Sequence, residues 1–329
     1  MINVCVVGYG SIGPIHANAL TNTEGVVLYG VCDPDVDRRK KCVNEFGSSN
    51  MVIHEYEDYD EMLKDDNIHS VHICTPHYLH YEMIQKALKA NKLVVTEKPA
   101  TRTKDEFTKL LSADGIENVC VTFQNRLNPC IIKFKEIIEK KELGDIKAVR
   151  AVLTWNRGRS YYESADWRGK WDTEGGGLLI NQAIHTLDYF SYLIGNVVSV
   201  NANMFNYSLK DVIEVEDSLV AVLRMDNGVQ GMFFATNAYG TDSAPLFEVT
   251  FERGTVRYID NKLWMGEKII ECDIAPKKGK SYWGSAHEDL IKRFYENGQC
   301  FSVYDVKNTM ETTFAIYESS GSNGNTVLV

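Results

Sequence analysis

The sequence predicts an α/β chain in two domains. Residues 1–121 form a doubly wound parallel sheet, and residues 122–329 form an α+β domain with a large, mostly antiparallel open sheet. Three observations predict it. The first 120 residues alternate short apolar runs with helical patterns, the rhythm of a parallel sheet covered on both faces. Beyond residue 122 longer runs alternate with period two, the pattern of strands with one face on a core. And 329 residues exceed what one hydrophobic core usually serves.

In the first part, Asn3–Val7 is an apolar strand ended by glycine, and Ile12–Leu20 has helical spacing. Val26–Cys32 is the second strand and Asp37–Phe46 a polar helix. Val71–Cys74 is a short strand followed by helical HYEMIQKALKA, and Leu93–Thr96 is a strand followed by helical TKDEFTKLLSA, with Thr103 as its cap. Val119–Phe123 completes the series. In the second part, Pro129–Lys141 reads as a helix, Ile146–Trp155 as a long strand, and Leu178–Ile194 as an amphipathic helix capped by Gly195. Strands follow at Val197–Phe205, Ser218–Met225, Val229–Thr236 and Phe247–Phe251, with Asp226-Asn227-Gly228 as a hairpin turn. Short strands near 255–272, helices at 284–297 and 305–320, and a tail with a short strand close the chain.

Composition narrows the function. Hydrophobic content is 44%, charged content 24%, and net charge −10. An acidic chain lacks the basic face that nucleic acid or an anionic membrane requires, so neither is expected as a partner. The start, MINVCVVGYG, has no basic leader region, and no run approaches the roughly 18 apolar residues of a spanning helix. The eight cysteines are scattered without a CxxC pair. They read as reduced thiols of a cytoplasmic protein, not as a disulfide framework or a zinc site, and no metal is expected.

GYGSIG at residues 8–13 is G-x-G-x-x-G between a strand and a helix, and Asp33 lies twenty residues past Gly13. Such glycines allow a tight turn, close approach of backbone to a pyrophosphate, and close helix–strand packing, while the helix N-terminus offers N–H groups to the phosphates. Gly8, Gly10, Ser11, Ile12 and Gly13 are therefore cofactor-binding candidates. Asp33 accepts from ribose hydroxyls and repels a 2′-phosphate, which favours NAD over NADP. Arg38 is the cation that could reach a 2′-phosphate instead, or be a solvated helix charge.

A dinucleotide site alone performs no reaction. CTPHYLH (74–80), TEKPA (96–100) and EGGGLLINQAIHTLD (174–188) supply further candidates. Lys98 follows a strand at the edge where open α/β sheets bind ligands. Thr75, Pro76, His80 and Glu97 belong to the same loops. His80 reads equally as a packed helix-start residue, and His16, one turn into the first helix, as structural. Asn181 and His185 stand at i and i+4 on one helix face with Asp188 on the adjoining turn. The glycines upstream let a ligand or another backbone approach that helix start. WNRGRSYYESADWRGKW (155–171) sets Arg157 and Arg168 among aromatics including Trp167, and FQNRLNP adds Arg126. Arginine forks suit carboxylate or phosphate and flat aromatics suit sugar faces. The same arginines could equally pair with nearby acids such as Glu163 and Glu174.

In order and spacing, GYGSIGPIHANAL, CTPHYLH, TEKPA, FQNRLNP and WRGKW…GGGLLINQAIHTLD resemble the Gfo/Idh/MocA oxidoreductases over essentially the whole chain. The resemblance implies a Rossmann domain, a C-terminal domain whose open sheet commonly joins subunits into a homodimer or homotetramer, and a cis bond before Pro99. It implies that Lys98 lies beside the nicotinamide and substrate hydroxyl, with His185 as acid/base. The family's usual residue four before that histidine is aspartate; this chain has Asn181. The expected activity is hydride transfer between nicotinamide and a secondary hydroxyl of a sugar, a sugar derivative (uronate or sugar nucleotide) or a cyclitol. The alternatives are reduction of a smaller ketone or C=N group, or ligand sensing without turnover. Retention of both Lys98 and His185 argues against the sensor.

Overall fold

The structure, a computed structural model, describes residues 1–48, 52–272, 286–298 and 301–329. They divide into two compact units, Met1–Gln124 with Ser285–Asp305, and Asn125–Gly284 with Val306–Val329.

The first unit runs β1 (Ile2–Val7), α1 (Gly13–Thr21), β2 (Val26–Cys32), α2 (Val36–Phe46), β3 (His54–Tyr56), α3 (Tyr59–Leu63), β4 (Ser70–Ile73), α4 (His77–Lys89), β5 (Leu93–Thr96), α5 (Lys104–Leu111) and β6 (Val119–Val121). The six strands are parallel in the order β3-β2-β1-β4-β5-β6. This doubly wound order reverses direction between β1 and β4 and opens a crevice there at the carboxyl ends. Val4, Val6, Leu28, Val31, Val71, Val94 and Val95 are buried, because helices cover both faces of such a sheet. Thr103 caps α5 as expected: its side chain accepts from the Glu106 N–H while Glu106 reaches back to the Thr103 N–H. The strand β3 and helix α3 were not predicted. The strand has three residues and no apolar alternation, and α3 is a five-residue turn capped by Asp58.

The second unit runs α6 (Pro129–Lys140), β7 (Ile146–Thr154), the short α7 (Arg159–Tyr162), and a helical stretch over Leu179–Ile194. That stretch was expected as one regular helix. It is a central α segment, α8 (Ile184–Tyr189), flanked by π turns at Leu179–Ala183 and Phe190–Ile194. Then come β8 (Val197–Phe205), β9 (Ser218–Met225), β10 (Gln230–Thr236), β11 (Leu246–Phe251), β12 (Gly254–Ile259), β13 (Lys262–Met265) and β14 (Lys268–Ile270). The chain continues through α9 (Ala286–Asn297), α10 (Lys307–Gly321) and β15 (Val327–Leu328). The nine-stranded sheet has the order β14-β13-β12-β11-β7-β10-β9-β8-β15 and is antiparallel except where β10 meets β7. One face is buried: Phe134, Tyr189 and Phe190 from the helices pack on Phe233 and Phe247 of the sheet. Gly231 permits this closeness, since a Cβ there would strike the Phe190 ring. The other face carries Val198, Val220, Val222, Met232 and Phe234 exposed.

The domain boundary differs from expectation. The first unit ends at Gln124, not 121, and 285–305 return to it. A helix that begins at Ala286, when the last strand of its sheet ends at Val121, leaves no local signal of where it docks. Within that return, Ile291 and Tyr295 join the core formed by Val4, Ala17, Leu20 and Leu28. Residues 284–285 of the expected helix, and Cys300, lie outside the described residues. Phe247 ties three helical aromatics to the second sheet. Phe247→Ala should therefore cost about 3–5 kcal/mol in urea unfolding.

Candidate active site

In the first unit, the loops after β1, β4 and β5 emerge at one edge of the parallel sheet. Gly8 has φ +86°, and a Cβ there would meet the Cys74 carbonyl at 2.9 Å and Thr75 at 3.1 Å. A Cβ on Gly13 would strike the Gly8 carbonyl. These two glycines are demanded by the fold itself. Gly10 differs: a Cβ there meets nothing within 4 Å, so its backbone faces open space at the start of α1, where a pyrophosphate fits. Ser11 is exposed and Ile12 half-buried beside it. Asp33 is only 2% exposed. Its Oδ2 accepts from the Tyr9 N–H at 2.8 Å and its Oδ1 from the Asp35 N–H at 2.9 Å. Each oxygen keeps a lone pair, and the backbone contacts fix the carboxylate's direction. Arg38 is exposed and lies 3.7 Å from Asp33 and 3.6 Å from Asp35. It partners the acid rather than standing free for a phosphate.

Lys98 is half-buried just beyond β5, with a cis bond to Pro99. Its N–H donates to Thr122 Oγ1 at 3.2 Å. Thr75 and Pro76 are half-buried on the neighbouring loop. His80 joins the two loops: its ring nitrogens lie 2.7 Å from the Pro99 carbonyl and 2.9 Å from the Thr75 carbonyl. The ring is fully buried and burial lowers its pKa, so as a neutral imidazole it donates its one N–H to one of these carbonyls and packs against the other. The expectation of direct contact by His80 gives way to its packed alternative.

Glu97, from the same loop, has a structural partner set. Its Oε1 lies 3.0 Å from His16 Nε2 and 3.3 Å from His287 Nε2. His16 Nδ1 is 2.9 Å from His72 Nδ1, and His72 Nε2 is 2.9 Å from the Tyr295 hydroxyl. All these groups except Tyr295 are buried. Burial alone would raise the Glu97 carboxyl, but hydrogen bonds from His16 and His287 outweigh it and hold the group well below its usual range. Burial lowers His16, and lowers His72 strongly. Glu97 thus clasps α1 and α9 from the end of β5 through its Oε1. Its carboxylate and the two histidines bring ligand-type atoms within 4.8 Å of one another; hydrogen bonding accounts for that spacing.

In the second unit, His185 is 9% exposed and Asn181 half-buried on the helical stretch. Asp188 turns away from them. It is buried and takes a two-pronged contact from Arg126, at 2.7 and 2.6 Å, plus the Thr309 hydroxyl at 2.6 Å. Arg126 is therefore corrected from substrate ligand to structural cation, paired through Nε and Nη2 with an acid that must be paired where it is buried. The arginine cluster is largely self-satisfied as well. Arg157 pairs with Asp242 at 2.9 Å and stacks on Trp155. Arg168 donates to the Tyr161 carbonyl at 3.0 Å and lies over the Tyr161 ring. Trp167 is half-buried beside Arg168.

The glycine run admits the chain's own atoms. A Cβ on Gly176 would strike the Tyr317 hydroxyl, and one on Gly177 the Glu216 carbonyl. Glu216 was missed in the sequence, where it stands in the loop just before β9. It is buried and accepts from the N–H groups of Gly177 at 3.0 Å and Leu179 at 2.8 Å, satisfying the start of the helix. Glu174, expected only as an ion-pair partner, is 0% exposed. Its Oε2 accepts from the Gly169 N–H and its Oε1 from Asn181 Nδ2, both at 2.5 Å. Burial pushes both carboxyls up to about 7.

A glycine-loop doubly wound sheet joined to an open-sheet α+β unit defines a nicotinamide-type oxidoreductase architecture. Residues 2–129 match the family model for the oxidoreductase family with an NAD-binding Rossmann fold, and residues 131–257 match the GFO/IDH/MocA C-terminal domain. The chain belongs to the Gfo/Idh/MocA family and is an NAD-binding oxidoreductase. It is 25% identical over 320 residues to a levoglucosan dehydrogenase of Pseudarthrobacter phenanthrenivorans, covering 87% of this chain and 81% of that one. It is 29% identical over 250 residues to the scyllo-inositol 2-dehydrogenase (NAD(+)) of Bacillus subtilis, covering 73% and 69%. Among solved structures, the WlbA dehydrogenase from Bordetella pertussis, in complex with NADH and UDP-GlcNAcA, superposes with a TM-score of 0.85 at 26% identity. That match covers 100% of this chain and 97% of that one.

The raised carboxyls make a stability prediction. Glu216 titrates near 7 when folded against an ordinary value of 4.5, so the folded state holds the proton more tightly. Its contribution is complete below pH 4.5 and is lost as pH rises through about 7. The stability of the native chain relative to Glu216→Gln should therefore be greater at pH 4.5 than above pH 7, by on the order of 3 kcal/mol. Urea unfolding at a series of pH values measures it; a pH-independent difference would rule the titration out.

Proposed function

We propose that this protein transfers hydride between NAD and a secondary hydroxyl of a sugar, a sugar derivative or a cyclitol. The observation that carries the reading is Lys98. It is a half-buried lysine just beyond β5, joined through Pro99, His80 and Thr75 to the loop that packs on Gly8. A cation at that edge of a dinucleotide-binding sheet suits a developing alkoxide. His185 is the base for the hydroxyl proton, since imidazole titrates near neutral pH. Asn181 beside it binds a substrate group. When bound, NAD accepts the hydride at its nicotinamide ring; Gly10 and the start of α1 would hold its pyrophosphate, and Asp33 its ribose.

The substrate class draws support from the carbohydrate and cyclitol names of the relatives above. It also draws on the half-buried aromatic rings of Tyr161 and Trp167. With Arg126 buried and Arg157 paired, a strongly anionic substrate is less favoured than the sequence alone suggested. The exposed apolar residues of β8, β9 and β10, such as Met232 at 60%, support a homodimer or homotetramer built on that sheet face. Among the described residues no helix is long and apolar enough to cross a membrane. Seven cysteines among the described residues are free, which fits a cytoplasmic location.

With NAD and a panel of sugars, uronates, nucleotide sugars and inositols, NADH absorbance at 340 nm should rise for at least one compound. Lys98→Ala and His185→Ala should each lower kcat by about 10²-fold or more, with NAD binding retained; full rates in both would refute the assignment. For Asp33→Ser, the ratio of kcat/KM with NAD to that with NADP should fall at least tenfold. An unchanged ratio would remove Asp33 from that role.

A further inference from the structure

We infer that His16 is a positioning residue for Lys98, through a one-way chain of hydrogen bonds that runs from Ser70 by way of Tyr295, His72 and His16 to Glu97, the lysine's neighbour in sequence. This role rests on the reading above that Lys98 serves the reaction. The direction of the chain does not.

Every member of the chain belongs to the first unit. The Ser70 and Tyr295 hydroxyls are 2.6 Å apart, and Tyr295 is 2.9 Å from His72 Nε2. The two Nδ1 atoms of His72 and His16 are 2.9 Å apart, and His16 Nε2 is 3.0 Å from Glu97 Oε1. The charge at one end orders the rest. Glu97, held well below its usual range, is a carboxylate and can only accept, so His16 Nε2 carries a hydrogen. Burial lowers both His16 and His72, so each ring is neutral and has a single N–H. His16 Nδ1 is therefore a lone pair. Two lone pairs would repel at this distance, so His72 Nδ1 carries the hydrogen and donates to it. His72 Nε2 is then a lone pair that accepts from Tyr295, whose proton burial retains. The Tyr295 oxygen accepts in turn from Ser70. One buried charge thus fixes every hydrogen back to β4.

The chain ends where the lysine begins. The Glu97 N–H donates to the Ile73 carbonyl at 2.9 Å, and the Lys98 N–H to Thr122 Oγ1 at 3.2 Å. These contacts hold the backbone to β4 and to the segment after β6. The Glu97 side chain adds a hold on α1, one turn in from the end at which a pyrophosphate fits. His16 therefore registers the phosphate-binding helix against the loop that carries Lys98. A dinucleotide spans that interval, so the ammonium's place relative to the nicotinamide depends on it, and small misplacements of a catalytic group are costly.

The direction is tested on the unmodified protein, without substrate. With histidine labelled in 15N, long-range proton–nitrogen spectra tell a ring nitrogen that carries hydrogen from one that does not. His16 should show Nε2–H and His72 Nδ1–H. The opposite tautomer at either ring, or a doubly protonated ring at pH 7, would overturn the chain. The service to Lys98 is tested with two substitutions of matched chemistry. Glutamine at position 16 is long enough to place an amide N–H where Nε2 stands and so keeps the donor to Glu97. Asparagine is one bond shorter, reaches only the Nδ1 position and loses it. With the best substrate of the panel, His16→Asn should lower kcat about 10–100-fold with little change in KM for NAD, whereas His16→Gln should stay within about threefold. In a Lys98→Ala background His16→Asn should cause little further loss, because its effect passes through the lysine. Equal losses in the two backgrounds, or His16→Gln as damaging as His16→Asn at unchanged melting temperature, would mean a merely structural role and overturn the positioning. If Lys98→Ala keeps the full rate, the reading of Lys98 falls and the positioning role with it, while the spectra alone decide the direction of the chain.

Discussion

Both units are organised by the requirement that a carboxylate taken out of water must be answered by donors. Asp33, Glu97, Glu174, Asp188 and Glu216 are all buried. Each answers differently. Asp33 and Glu216 collect backbone N–H groups at the starts of segments that must be placed accurately. Glu97 collects histidines from two helices. Asp188 takes an arginine fork and a hydroxyl from α10. Glu174 takes donors that include the Gly169 N–H and the Asn181 amide. Loops that hydrophobic packing would leave loosely defined are thereby fixed in direction.

The same requirement separates groups that hold the site from groups available for chemistry. Arg126, His80 and Glu97 stand in motifs that look reactive, yet their polar atoms serve the protein's own backbone and side chains. Lys98 and Asn181 keep partial exposure. Burial and hydrogen bonding, more than residue type, decide which members of a motif can meet a ligand. Pairing also explains why Arg157 beside Asp242 contributes less positive field than the bare sequence suggests.

Much of the fold was legible because its signals are local. The strands Val26–Cys32, Leu93–Thr96, Val197–Phe205 and Ser218–Met225 coincide with their apolar runs, and the cap at Thr103 with its capping pair. The π turns around α8 were not legible, since 3.6-residue periodicity over seventeen residues does not record where an extra residue is accommodated. The place of the glycine loop between β1 and α1, and of Asp33 just past β2, was readable from spacing alone. The roles of Glu174 and Glu216 were not, because an acid in a loop or strand looks solvated until its burial is known. Arg126 was misread for the converse reason: its partner Asp188 is 62 residues away in sequence and meets it only in the folded unit.

The return of residues 285–305 to the first unit has a consequence for how the protein is made. A ribosome releases the whole parallel sheet early, but Ile291, His287 and Tyr295, which complete its core and its histidine clasp, emerge only after the second sheet has been synthesised. During that interval the nascent sheet has an uncovered apolar flank and a Glu97 carboxylate lacking one of its two histidine partners. The dinucleotide-binding unit can reach its final state only near the end of translation, so the order of assembly is set by chain connectivity as much as by local stability.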